Sequence, residues 1–215
     1  MSSRRWFEDF QNSELHHNEG GWPREMIIGD PSSIALEAGI TEAFEQPSQL
    51  ALGYFAIHIC GKVFGVRSHD ATMLACSYNA MKARLDRRGN HAVRDAKDRA
   101  ALEIVRHCQA AIYGIEHNAT LLSADEAFGG RLMASNIVWA PDGDAAFDDG
   151  GHVLQFDEGN EVRLIAFKNE IDFQAVISSV AEAWVPTAIF YELLAEWLRW
   201  FDSERHVGLG LRTRH

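Results

Sequence analysis

The hydrophobic period of this 215-residue chain switches from strand-like to helix-like and back, and that segregation constrains the fold more than any single motif does. In Leu50–Cys60, Tyr54, Ala56, His58 and Cys60 share one face while Gly53, Phe55, Ile57 and Ile59 share the other, the two-residue repeat of a strand. Gly61-Lys62 then turns the chain into Val63–Val66, a hairpin signal. From about Thr72 the repeat becomes helical. Met73, Leu74, Ser77, Tyr78, Met81 and Leu85 follow i, i+3, i+4 spacing to about Arg87, with Asp70 or Thr72 as the cap. A second helix is predicted from about Arg94 to Tyr113, on the face Ala101, Leu102, Val105, Cys108, Gln109 and Ile112, with Gly114 ending it. Leu132–Ala140, His152–Asp157, Glu161–Phe167 and Val176–Val185 then read as strands. Pro186 stands at a first helical position, and Phe190, Leu193, Leu194, Trp197, Leu198 and Phe201 form a broad apolar stripe to about Ser203. Short strands at Met26–Ile28 and Ser33–Ala38 open the pattern. Strands, helices, strands and a final helix in separate runs favour an α+β fold: mainly antiparallel sheet, two central helices and an amphipathic C-terminal helix.

This length fits one domain. Residues 26–206 are predicted to form it, with 207–215 as a tail. Residues 1–25 are a polar N-terminal extension in which Trp6, Phe7 and Phe10 have helical spacing, so a docked short helix and a flexible arm both remain open. Apolar residues make up 47% of the chain, enough for a sizeable core. Cys60, Cys76 and Cys108 match no metal or redox spacing, which predicts three free, mostly buried thiols in a reducing cytosol. No apolar run approaches the roughly 18 residues of a membrane span, and no secretory signal opens the sequence. The expectation is a cytoplasmic protein that does not engage membranes.

Catalytic signatures are missing from the sequence. Neither GxxxxGK[ST], GxGxxG after a strand, GxSxG nor HExxH occurs. Glu103 and His107 lie four apart and read as an exposed helix contact. Asp142, Asp144, Asp148 and Asp149 resemble a calcium loop only loosely, because Phe147 stands where the loop requires glycine and Val153 where it requires glutamate. No metal, cofactor or catalytic residue is predicted.

Charge carries more information. The net charge is −11, opposite in sign to a nucleic-acid binder. Much of the excess lies in residues 141–172, where Asp142, Asp144, Asp148, Asp149, Asp157, Glu158, Glu161, Glu170 and Asp172 face only Arg163 and Lys168. Residues 82–106 lean basic, so one alternative is two solvated faces that attract each other within the fold. The other is an acidic face that meets a basic partner.

From Met26 the sequence MIIGDPSSIALE, followed by Gly53–Gly61 (GYFAIHICG) with Gly65, and by Thr72-Met73-Leu74, resembles the immunity protein 42 family of bacterial polymorphic-toxin systems. The resemblance covers about residues 26–85 and continues more weakly at 176–204. It implies a non-enzymatic immunity protein that binds a cognate toxin as a heterodimer, the toxin being basic and often a nuclease. Candidate toxin-binding residues are Asp142, Asp144, Asp148, Asp149, Asp157, Glu158 and Glu161, with support from Glu37, Glu42 and Glu45. Trp139 and Phe147 are the aromatic anchors expected beside the acidic loop. Two alternatives stay open: an enzyme of unrecognised type, and an adaptor that self-associates through the Trp-rich C-terminal helix, on which Trp197 and Trp200 occupy different faces.

Overall fold

The computed structural model describes residues 24–114 and 126–210. The N-terminal extension (apart from Arg24 and Glu25) and most of the predicted tail lie outside the described residues.

The chain builds two antiparallel sheets and five α-helices among the described residues. The first sheet contains β1 (Arg24–Asp30), β2 (Ile34–Ala43), β3 (Ala51–Ile59) and β4 (Lys62–Phe64) in that order, with β5 (Thr72–Met73) also pairing with β3. The second contains β6 (Val138–Ala140), β7 (Gly151–Glu158), β8 (Glu161–Lys168) and β9 (Ala181–Pro186), again in chain order. The helices are α1 (Ala75–Asp86), α2 (Ala101–Tyr113), α3 (Glu126–Ala134), α4 (Phe173–Ser179) and α5 (Thr187–Gly208).

Turn chemistry sets the hairpins. Cys60 and Gly61, at φ 50° and 77°, form the two-residue connection of β3 to β4, with the paired positive φ values of a type I′ turn. The β7–β8 loop is Gly159-Asn160, with φ 68° at the glycine. Within the first sheet the Tyr54 ring lies across Gly39, where an added Cβ would stand 2.3 Å from a ring carbon.

Strand alternation divides the interior. Ile34, Leu36, Ala38, Ile40, Phe55, Ile57 and Ile59 of the first sheet share a core with Val153, Val162, Leu164, Ala166, Ala181, Ala183 and Val185 of the second. Helix α5 completes that core with Phe190, Tyr191, Leu193, Leu194, Trp197, Trp200 and Phe201. The opposite face of the second sheet, through Leu154, Phe156, Ile165 and Phe167, packs on Ile104, Val105 and Cys108 of α2, Phe128 and Leu132 of α3, and Val176 of α4. Trp197 and Trp200 are both buried in the core that α5 completes.

Several boundaries differ from the sequence-based expectation. Strand β2 extends to Ala43 rather than ending near Gly39. Thr72 belongs to β5, and α1 starts at Ala75 without a side-chain cap. Residues 94–100 are not helical: Arg163 donates to the carbonyls of Ala96 (2.8 Å) and Arg99 (2.9 Å), holding them as a loop. The strand predicted over Leu132–Ala140 is the end of α3, a short connection and β6. Phe128 and Leu132, four apart, are both buried on α3, which packs against α2. The strand predicted over Val176–Val185 is α4 followed by β9, because the Asp172 carboxylate accepts from the Gln174 N–H (3.1 Å) and starts a helix there.

Candidate binding surface

The acidic segment divides into carboxylates that hold the fold and carboxylates that face water. Asp149 is in the first group. It accepts from the backbone N–H of Gly65 and of Gly151, both at 3.1 Å, and pairs with Lys168 at 2.8 Å. One side chain thus ties β4, β7 and β8 together. Asp144 caps the 3-10 turn Ala145–Phe147 by accepting from the Ala146 N–H at 3.0 Å. Asp142 is exposed and accepts from the Tyr113 hydroxyl at 2.7 Å. Asp148 is exposed on the same loop. The loop is pinned from below as well, since the Val66 N–H donates to the Ala146 carbonyl at 2.9 Å.

Asp157 lies on the inner face of the second sheet and is buried. Its carboxylate accepts from the His91 N–H (3.1 Å), His91 Nδ1 (3.0 Å), Gln155 Nε2 (3.1 Å) and the Tyr191 hydroxyl (2.9 Å). Arg84, itself buried, donates to Gln155 Oε1 at 2.9 Å. Burial alone would raise the Asp157 pKa, but the His91, Gln155 and Tyr191 donors outweigh it and bring the value down to about 2. Burial lowers the Arg84 guanidinium to about 9. This network joins the 87–98 loop, β7, α1 and α5. Asp157 was expected on the binding face; the structure places it inside, because its strand position falls on the core side of β7.

A second internal cluster takes Glu37. Its carboxylate accepts from Tyr54 (3.1 Å), contacts His58 Nε2 at 2.7 Å and accepts from Arg67 Nε at 2.8 Å. Burial raises its pKa, and the His58 and Arg67 contacts more than reverse that shift. Glu42 and Glu45 are exposed.

The two expected aromatic anchors are also interior. Trp139 is 6% exposed, its ring edge-on to Phe190 at 5.9 Å and under the Arg84 guanidinium at 5.3 Å. Phe147 is 3% exposed, packed edge-on against Phe55 at 6.1 Å, because the 3-10 turn folds the apolar side of the loop inward. Among the described tryptophans the exposed one is Trp184, at 39%. The alternation Ala181, Ala183, Val185 against Glu182, Trp184, Pro186 marks it as outward-facing, a signal that a single strand over 176–185 obscures because it puts Val176 and Val180 on the same side as Trp184.

Glu161 is exposed and Glu158 half-buried, with burial raising the Glu158 pKa against the opposing pull of Lys97 and Arg163. Cys60 and Cys76 are exposed, correcting the expectation of mostly buried thiols; Cys108 is buried, which pushes its pKa up to about 12. His107 is buried against Phe128, and Glu103 pairs with Arg99, so the predicted exposed Glu103–His107 contact gives way to these partners. Among the described residues no group of three or more His, Cys, Asp or Glu side chains is placed to hold a metal ion, and no helix is long and apolar enough to cross a membrane.

Two antiparallel sheets around one long helix, with anchored loops at the sheet ends, define a compact α+β fold. The crystal structure of CdiI from Burkholderia dolosa AUO158 has a similar fold, with a TM-score of 0.51 at 15% identity over 81% of this chain and 99% of that one. No curated protein matches the chain. The sequence model of immunity protein 42 matches residues 26–200, and the chain belongs to that family.

Proposed function

We propose that this chain neutralises a cognate toxin domain by stoichiometric binding rather than by catalysis, in the cytoplasm of the cell that makes both proteins. The observation that carries this reading is the family match, which spans both sheets and most of α5. The toxin would be basic, and a nuclease fits, delivered by a contact-dependent or type VI route. The carboxylates left to meet it are those the fold does not bury: Asp142, Asp144 and Asp148 on the loop before β7, Glu158 and Glu161 at the β7–β8 turn, and Glu42 and Glu45 in support. Exposed carboxylates facing Lys and Arg act mainly on the rate of encounter.

The test is co-purification with the toxin domain encoded immediately upstream. Association below about micromolar concentration is expected, and its absence would sink the proposal. Asp148→Lys is the first surface variant, because Asp149 holds Gly65, Gly151 and Lys168 and its reversal would disturb the fold. The expected effect is an association rate lowered about threefold to tenfold at low salt, fading as salt screens the charge.

A further inference from the structure

Strand β9 is an edge of the second sheet. The Glu182 carbonyl accepts from Cys60 Sγ at 3.2 Å, so it faces away from β8. Along an antiparallel strand alternate residues share that direction. Trp184 therefore presents its own N–H and C=O at the sheet edge. Pro186, next in the set, has no N–H to present, which keeps the open edge short.

The Trp184 side chain is held before any partner arrives. Its indole N–H donates to Glu182 Oε1 at 3.1 Å, and the Arg163 guanidinium lies 5.2 Å from its ring centre. Arg163 is fixed in turn: it is buried, donates to Glu182 at 2.8 Å and holds the Ala96 and Arg99 carbonyls. A large aromatic surface, exposed yet rigid, loses little conformational freedom on binding, which is why tryptophan is enriched among residues that dominate interface energies. Around it stand Glu182 and, diagonally across the strand pair, Glu161. Arg163 already covers one face of the indole and pairs with Glu182, which leaves the exposed Glu161 carboxylate to favour a cation near the other.

We propose that Trp184 is the anchor of the toxin interface, receiving an Arg or Lys side chain of the toxin on its open face while Glu161 pairs with that charge. This rests on the immunity reading above, and it names the surface and the chemistry of the partner. A guanidinium stacked on an indole and paired with a carboxylate uses both kinds of attraction at once.

The experiment measures binding of the full-length protein to the upstream-encoded toxin domain for wild type, Trp184→Ala and Glu161→Lys, with thermal unfolding and light scattering of each variant. Trp184→Ala should weaken binding at least about 30-fold, mostly through faster dissociation, with its fold retained. Glu161→Lys, at an exposed position, should weaken binding about tenfold and lose that effect at high salt. Wild type that binds while folded Trp184→Ala binds within about twofold of it overturns the anchor and leaves the immunity reading intact. Should Trp184→Ala fail to fold, unchanged binding by Glu161→Lys overturns it instead. Wild type that does not bind the toxin removes both. A dimer lost in Trp184→Ala, with toxin binding unaltered, makes this edge a contact between copies and refutes the proposal.

Discussion

Neutralising Asp157 should cost stability that depends on pH in a defined window. The side chain is 5% exposed and its folded pKa is about 2, against an ordinary value of 3.8. A carboxyl depressed on folding stabilises the native state above its unfolded pKa, and the contribution fades as pH falls through the folded value. The gap between 3.8 and about 2, at roughly 1.4 kcal/mol per unit, corresponds to about 2 kcal/mol, present at neutral pH and lost as pH drops from 3.8 towards 2. Asp157→Asn keeps the shape but removes the charge, and it turns an amide N–H towards donors that expect an acceptor. Urea unfolding followed by tryptophan fluorescence, at intervals from pH 7 to pH 2.5, should therefore show two things. The variant should be less stable at pH 7 by about 2 to 4 kcal/mol. Its stability should also decline less steeply in acid than that of wild type, by about 2 kcal/mol over the window. Parallel pH profiles for the two proteins would refute the argument that His91, Gln155 and Tyr191 hold this carboxylate in its charged form.

Two further outcomes test the inside and the outside of the molecule. Trp139→Ala should destabilise the protein by about 3 to 5 kcal/mol in the same unfolding assay, the range for emptying a buried aromatic site, whereas an exposed anchor would cost far less. A thiol reagent added to the native protein should titrate Cys60 and Cys76 promptly and Cys108 only after denaturant; three equal rates would contradict the burial of Cys108.

What the sequence made legible follows from the length of each periodic run. Strand β3 and helix α5 are long and strongly patterned, so their faces could be assigned from spacing alone. Helix α3 was not legible, because Gly129-Gly130 interrupts the helical pattern that Phe128 and Leu132 begin. Helix α4 has seven residues with Val176-Ile177 at its centre, a pair that favours strands, and only the Asp172 cap argues for a helix. The acidic loop was visible as charge, but which of its carboxylates are used internally was not. Asp149 meets Gly65 across 84 positions of sequence and Asp157 meets His91 across 66, and no local pattern encodes pairings at that range. Trp184 is legible once β9 is bounded at Ala181, because the alternation Ala181, Ala183, Val185 against Glu182, Trp184 turns it outward, whereas the packing of Trp139 on Phe190 is a long-range contact that no local pattern encodes.

The two groups of exposed carboxylates at the ends of β7 cannot both sit at the centre of one interface. Strand β7 separates them: the loop bearing Asp148 precedes Gly151, and the turn bearing Glu161 follows Glu158. Eight residues of strand span roughly 25 Å, close to the full width of an interface of standard size. If Trp184 is the centre, then Asp148 lies at the rim or beyond it. A rim charge steers the approach and changes the association rate, while a buried anchor governs how long the complex lasts. The kinetic split between Asp148→Lys and Trp184→Ala therefore fixes the orientation of the toxin on the sheet. Slower association in the first and faster dissociation in the second place the toxin over the β8–β9 end, with the acidic loop as its electrostatic guide. The reverse pattern moves the centre to the loop and leaves Trp184 as a cover for the buried Arg163.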